Sequence, residues 1–264
     1  MAVLEPISLS GGRNCAFRGL NDGAVVRILK HTMNDAESYS RPVAVGDMDA
    51  QSRGTFVSRT YAHLFGAVSA FILIEMFFFR SGLAEPMARA MLGVSWLLVL
   101  GGFVVVSWMA SRIAHRAVSK AAQYAALAVY VLAESVIFVP LLFIADRVAP
   151  GAITSAAAVT FLSFAALTAF VFLTGKDFSF LRGILFWAGV TALSLIVGGV
   201  VFGFQLGTYF SVAMVGVAGA AILYDTSNVL HHYPEDRYVA ASLQLFASVA
   251  LMLWYVLRIF MSRR

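Results

Sequence analysis

Residues 216–232 read GVAGAAILYDTSNVLHH. The stretch opens on small and apolar residues, then carries Asp225, and ends on two histidines, His231 and His232. Gly216, Ala220 and Ala221 are the small side chains that let helices approach closely in a bilayer. A carboxylate near mid-membrane costs about 2.5–3.5 kcal/mol on insertion scales, so such groups face a bundle interior, water or a partner. The stretch reads as a membrane helix with a polar site toward one end.

The rest of the chain agrees. Only 12% of its 264 residues are charged, 60% are hydrophobic and the mean hydropathy is +0.83. Ordinary soluble domains carry about 25% charged residues, so composition excludes that class. From residue 60 onward seven apolar stretches are long enough to span, at 60–79, 91–110, 124–145, 153–174, 183–204, 209–230 and 240–260. About 20 residues of helix cross a hydrocarbon core. None shows the alternation of a barrel strand, so the expected fold is an all-α polytopic membrane protein, a seven-helix bundle. Short linkers argue for one compact domain over residues 60–264. Residues 1–59 hold charges of both signs and no long apolar run, and read as a mobile polar tail. The start of translation has two readings: a true extension, or a start at Met33. The one cysteine, Cys15, excludes an internal disulfide.

The net charge of +5 lies mostly in loops and at the C-terminus, which reads as an orientation signal and not as nucleic-acid binding. With the N-terminus inside, Arg112, Arg116, Lys120, Lys176, Arg182 and Arg237 face the cytoplasm, against Arg80, Arg89 and Arg147 outside. Arg258, Arg263 and Arg264 disagree, because seven spans put them outside. The alternative is a last segment that dips and returns.

Three carboxylates lie within spans: Glu75, Glu134 and Asp225. Glu75 sits near a helix end, close enough to Arg80 for an interfacial pair. Glu134 is mid-span and suits an interior network or an ion path. Adjacent His231 and His232 diverge on a helix, so they form a poor metal pair and suit a solvated loop, with pH sensitivity as a further use. No HExxH, Cys/His or G-x-S-x-G pattern appears, so no metal, cofactor or enzyme chemistry is expected.

The blocks RTYAHLFGAVSAF (59–71), LTGKDFSFLRGILFWAG (173–189), ILYDTSNVLHH (222–232) and YVAASLQLFASVALMLWYVLRIF (238–260) resemble the Bax inhibitor-1 family, most closely its bacterial YccA-type branch. The resemblance covers residues 56–262. It implies a central last helix wrapped by the other six and a place in the bacterial inner membrane. In some members it implies a pH-dependent calcium leak governed by two aspartates, in the sixth and seventh spans. For the YccA-type branch it implies association with the membrane protease FtsH. Asp225 matches the sixth-span aspartate. The seventh-span position, ten residues before Arg258, is Ser248 here. A pair that shares a proton is thereby replaced by a single carboxylate facing a hydroxyl. Glu134 is a candidate for the missing second carboxylate, and Arg237 could reach back toward Asp225. Two classes of function follow: a cation leak past Asp225 and Glu134, or a non-enzymatic modulator of FtsH.

Overall fold

The computed structural model describes residues 44–117 and 119–262, apart from the Trp96 side chain. The expectations for residues 1–43, with Cys15 and Met33, and for Arg263 and Arg264 lie outside the described residues. Eight α-helices follow in order: α1 (Ala50–Arg80), α2 (Ala84–Leu92), α3 (Trp96–Arg116), α4 (Lys120–Val148), α5 (Ala152–Thr174), α6 (Leu181–Phe202), α7 (Thr208–His231) and α8 (Tyr238–Ser262). All but the nine-residue α2 are long and apolar enough to cross a membrane.

Two helix starts differ most from the hydropathy reading. Helix α1 starts at Ala50, within the segment taken as tail. Its start is set by a cap: Asp49 accepts from the backbone N–H groups of Gln51 and Ser52, both at 3.1 Å. At 31 residues α1 is about 46 Å long, more than the roughly 30 Å hydrocarbon core, so it projects beyond the bilayer. The preceding residues are also placed. Arg53 donates to the carbonyls of Val45, Gly46 and Met48, and the Val45 N–H donates to Tyr233 O at 2.9 Å. A Cβ on Gly46 would come within 2.9 Å of the His231 carbonyl, so glycine is needed for this approach. The second boundary is α3, which begins at Trp96 and not at 91. Residues 84–92 form the separate helix α2 on the flank of α4, after a left-handed Gly82 (φ 76°).

Helix α8 is the axis of the bundle. It packs against α1, α3, α4, α5 and α7, while α6 sits at the edge and leans chiefly on α7. A small cluster of Ala192, Met214 and Tyr255 ties α6 and α7 to α8. Helix α8 buries side chains on every face, among them Val239, Ala240, Ala241, Leu243, Leu245, Phe246, Ala250, Met252 and Leu257. In lipid this burial cannot be driven by hydrophobicity, since the surroundings are equally apolar; close packing of small residues drives it. Ala240, Ala241, Ser242, Ser248 and Ala250 provide them.

Phe138 on α4 is the main aromatic contact to this axis. It is 1% exposed and makes edge-on contacts with Phe71 of α1 at 5.2 Å and Trp254 of α8 at 5.0 Å. Phe138→Ala should leave a cavity joining three helices and lower stability by about 3 kcal/mol. Unfolding in mixed micelles titrated with dodecyl sulfate measures this; a loss below 1 kcal/mol would show that the bundle closes the gap.

Candidate functional site

Three consecutive residues of α7 face three different neighbours. A helix turns about 100° per residue, so Asp225, Thr226 and Ser227 diverge. All three are nonetheless buried, at 1%, 0% and 0% exposure. That is possible only because α7 is enclosed on most sides at this level. Asp225 faces α8, where the Ser248 hydroxyl donates to Oδ2. Its other oxygen, Oδ1, is buried without a hydrogen-bond partner among the described residues. Thr226 lies by the hydroxyls of Tyr61 on α1 and Thr168 on α5, a second buried polar cluster. Ser227 faces the α5–α6 connection.

Glu134 on α4 is 5% exposed. The Tyr130 ring, one turn earlier on α4, carries its hydroxyl beside Glu134 and is close enough to feel Asp225 as well. Glu134, Tyr130 and Ser248 all line one open cavity of about 770 Å³. The structure thus brings Asp225 and Ser248 into contact and has Glu134 and Ser248 line one cavity.

The remaining predicted residues lie elsewhere. Glu75 is 7% exposed and buried, with no partner for either carboxylate oxygen among the described residues, so the expected pair with Arg80 does not form. The register explains this: Arg80 lies five residues on, at the last, exposed position of α1, whereas Glu75 is on the buried face with Phe71. Arg237 does not reach Asp225. Its guanidinium donates to Ala117 O at 2.5 Å and pairs with Asp236 at 3.2 Å, because the short 3-10 turn Glu235–Arg237 aims it at the α3–α4 connection. His231 is the last residue of α7 and its Nδ1 lies 3.0 Å from Ser227 O. His232 caps the helix, and its Nε2 lies 3.0 Å from Asp177 Oδ2. It is therefore a member of an inter-loop contact, beyond its place in the loop. No group of three or more His, Cys, Asp or Glu gathers as a metal set among the described residues.

Asp177 is the functional-looking residue that sequence reasoning passed over, although KDFSF was quoted as a motif. Its Oδ1 accepts from the Ser179 N–H at 2.8 Å and from the Ser227 hydroxyl at 3.3 Å, while the Phe178 N–H donates to Ser227 Oγ at 2.9 Å. The usable signal was D-x-S, whose aspartate turns back on the backbone two residues ahead. Together with His232 these bonds lock the α5–α6 connection onto the end of α7.

The Asp177 carboxyl is held below its ordinary value of 3.8, first by the Ser179 N–H and then by His232. A depressed carboxylate contributes stability above its unfolded value, lost as pH falls through the folded one. Asp177→Asn should therefore lower the thermal midpoint modestly at pH 7, since the contact is largely exposed. The gap to wild type should close below pH of about 4. A gap that persists unchanged at lower pH would remove charge from the explanation.

A family model for the inhibitor of apoptosis-promoting Bax1 matches residues 53–264. The uncharacterised protein PA2604 of Pseudomonas aeruginosa is 36% identical over 111 residues, which is 41% of this chain and 49% of that protein. Bax inhibitor 1 of Schizosaccharomyces pombe is 38% identical over 99 residues, 36% of each chain. The matched region spans about half or less of these relatives. The family match covers all seven long helices and both the Asp177 and Asp225 sites, and on it the chain belongs to the Bax inhibitor family.

Proposed function

We propose that this protein is a pH-sensitive cation leak, with calcium as the candidate ion and Asp225 as the sensing carboxylate. The observation that carries the proposal is Asp225 itself: a fully enclosed carboxylate with one unpartnered oxygen. It is bonded to Ser248, which lines the same cavity as Glu134. Unmet hydrogen-bonding capacity inside a bilayer is costly and is retained mostly on ion or proton paths. In this reading Asp225 and Glu134 attract a cation, Ser248 orients Asp225, and protonation removes the attraction. The path closes as pH falls.

A second reading is a non-enzymatic modulator of the membrane protease FtsH in a bacterial inner membrane. It is favoured by Ser248, which leaves one carboxylate where a titrating pair would make a stronger switch.

Calcium flux into proteoliposomes of purified protein separates the two. Wild type should conduct at neutral pH and close on acidification, and Asp225→Asn should already show the acid level at neutral pH. An Asn variant with the wild-type pH profile would exclude Asp225 as sensor. No flux at any pH would leave the modulator reading.

The loop charges orient the protein with its N-terminus in the cytoplasm and its C-terminus outside. Reporter fusions at residues 50 and 264 should report opposite sides of the membrane. Cytoplasmic signals from both would mean that α8 does not cross.

A further inference from the structure

We propose that the 770 Å³ cavity is an intramembrane site for one anionic phospholipid, its phosphate held by Arg258 and an acyl chain lying in the cavity. The volume is within the roughly 300–1,000 Å³ of sites that enclose a ligand. The cavity runs along α8 from Gln244 past Ser248 to Arg258, the lining residue nearest the C-terminal end of the helix. Ten residues of helix separate Ser248 from Arg258, about 15 Å. Its walls are mostly apolar, among them Phe103 of α3, Leu141 of α4, Val200 of α6, and Leu251 and Trp254 of α8, with Gln205 and Gln244 as polar exceptions besides Glu134 and Ser248.

In this proposal the opening lies between α3 and α6 and faces lipid. Its two side walls are α3 and α6, the least buried of the long helices. Helix α3 packs chiefly on α4 and α6 chiefly on α7, with α8 behind both. Their outer faces carry exposed Leu98, Val105, Phe186 and Val201. A hydrocarbon chain from the bilayer can enter sideways without crossing water.

The charge specifies the head. Arg258 lies one turn before the end of α8 and lines the cavity. No acidic side chain among the described residues pairs with it. A guanidinium left without a carboxylate in a low-dielectric setting matches a phosphate, which it binds through two parallel donors. Among the described residues Glu134 is the one carboxylate on the cavity wall, and it is mid-span on α4, so it meets the chain and not the head. An acyl chain here and a cation beside Glu134 are alternative occupants of one cavity, so the site does not rest on ion conduction.

Native mass spectrometry of the purified full chain, delipidated and then titrated with phosphatidylglycerol or phosphatidylcholine, tests this. Wild type should retain one phosphatidylglycerol in preference to phosphatidylcholine. Arg258→Gln should weaken retention about tenfold, the scale of a lost charge-assisted bidentate contact, and Arg258→Lys should recover part of it. Val200→Trp, which fills the cavity from an exposed wall and leaves the α8 core intact, should also weaken retention with an unchanged melting curve. Millimolar inorganic phosphate should not compete, because the chain supplies the remaining affinity. Equal retention of both lipids, retention indifferent to Arg258→Gln, full competition by phosphate, or Val200→Trp behaving as wild type would each overturn the proposal.

Discussion

A carboxylate carried into a bilayer must find a hydrogen-bond donor inside the protein, and Asp225 finds it in Ser248 at the middle of α8. This demand accounts for much of the bundle. It requires a helix with small side chains beside α7, so that a short hydroxyl can reach. The α7–α8 contact is the most extensive helix pair in the molecule, and the burial of α8 on every face follows from the other helices closing around that pair. An apolar residue at 248 would leave both Asp225 oxygens without a partner in low dielectric.

The same stretch of α7 connects the buried site to the surface loops. Asp225 is tied to α8, Thr226 lies by Tyr61 and Thr168, and Ser227 holds the Asp177 turn, which His232 closes from the next loop. The segment ahead of α1 rests on that same loop through Val45 and Tyr233, with Phe56 stacked on the Tyr233 ring at 6.4 Å. One end of the bundle is therefore knitted by polar contacts. The other is looser: α3 and α6 stand apart around an open cavity, and the recorded polar link there is Glu85 with Arg89 and Arg147. Motion between states would be easier at the open end, where few contacts must break.

The amino-acid sequence alone determined the fold class, the number of spans and the approximate place of each, because a bilayer imposes a length and a hydropathy on anything that crosses it. It also pointed to Asp225, since a charge within a span is readable along one dimension, whereas Ser248 came only from the family resemblance, through its register to Arg258. Hydropathy could not see where α1 begins, because a capped polar turn of helix outside the lipid has no apolar signature. It left most of the amphipathic α2 as a linker and started the next span at 91, because Gly93 and Ser95 break the helix without breaking the apolar run. Only the tertiary structure decided which polar groups meet. Glu75 and Arg80 are neighbours in sequence yet lie on different faces, while Asp177 and His232 are 55 residues apart and in contact. Whether Glu134 shares a cavity with Ser248, and whether Arg258 faces a partner or an open cavity, depends on how α4 and α8 rotate about their own axes. That rotation is set by packing among all the helices at once, a property that no single segment carries.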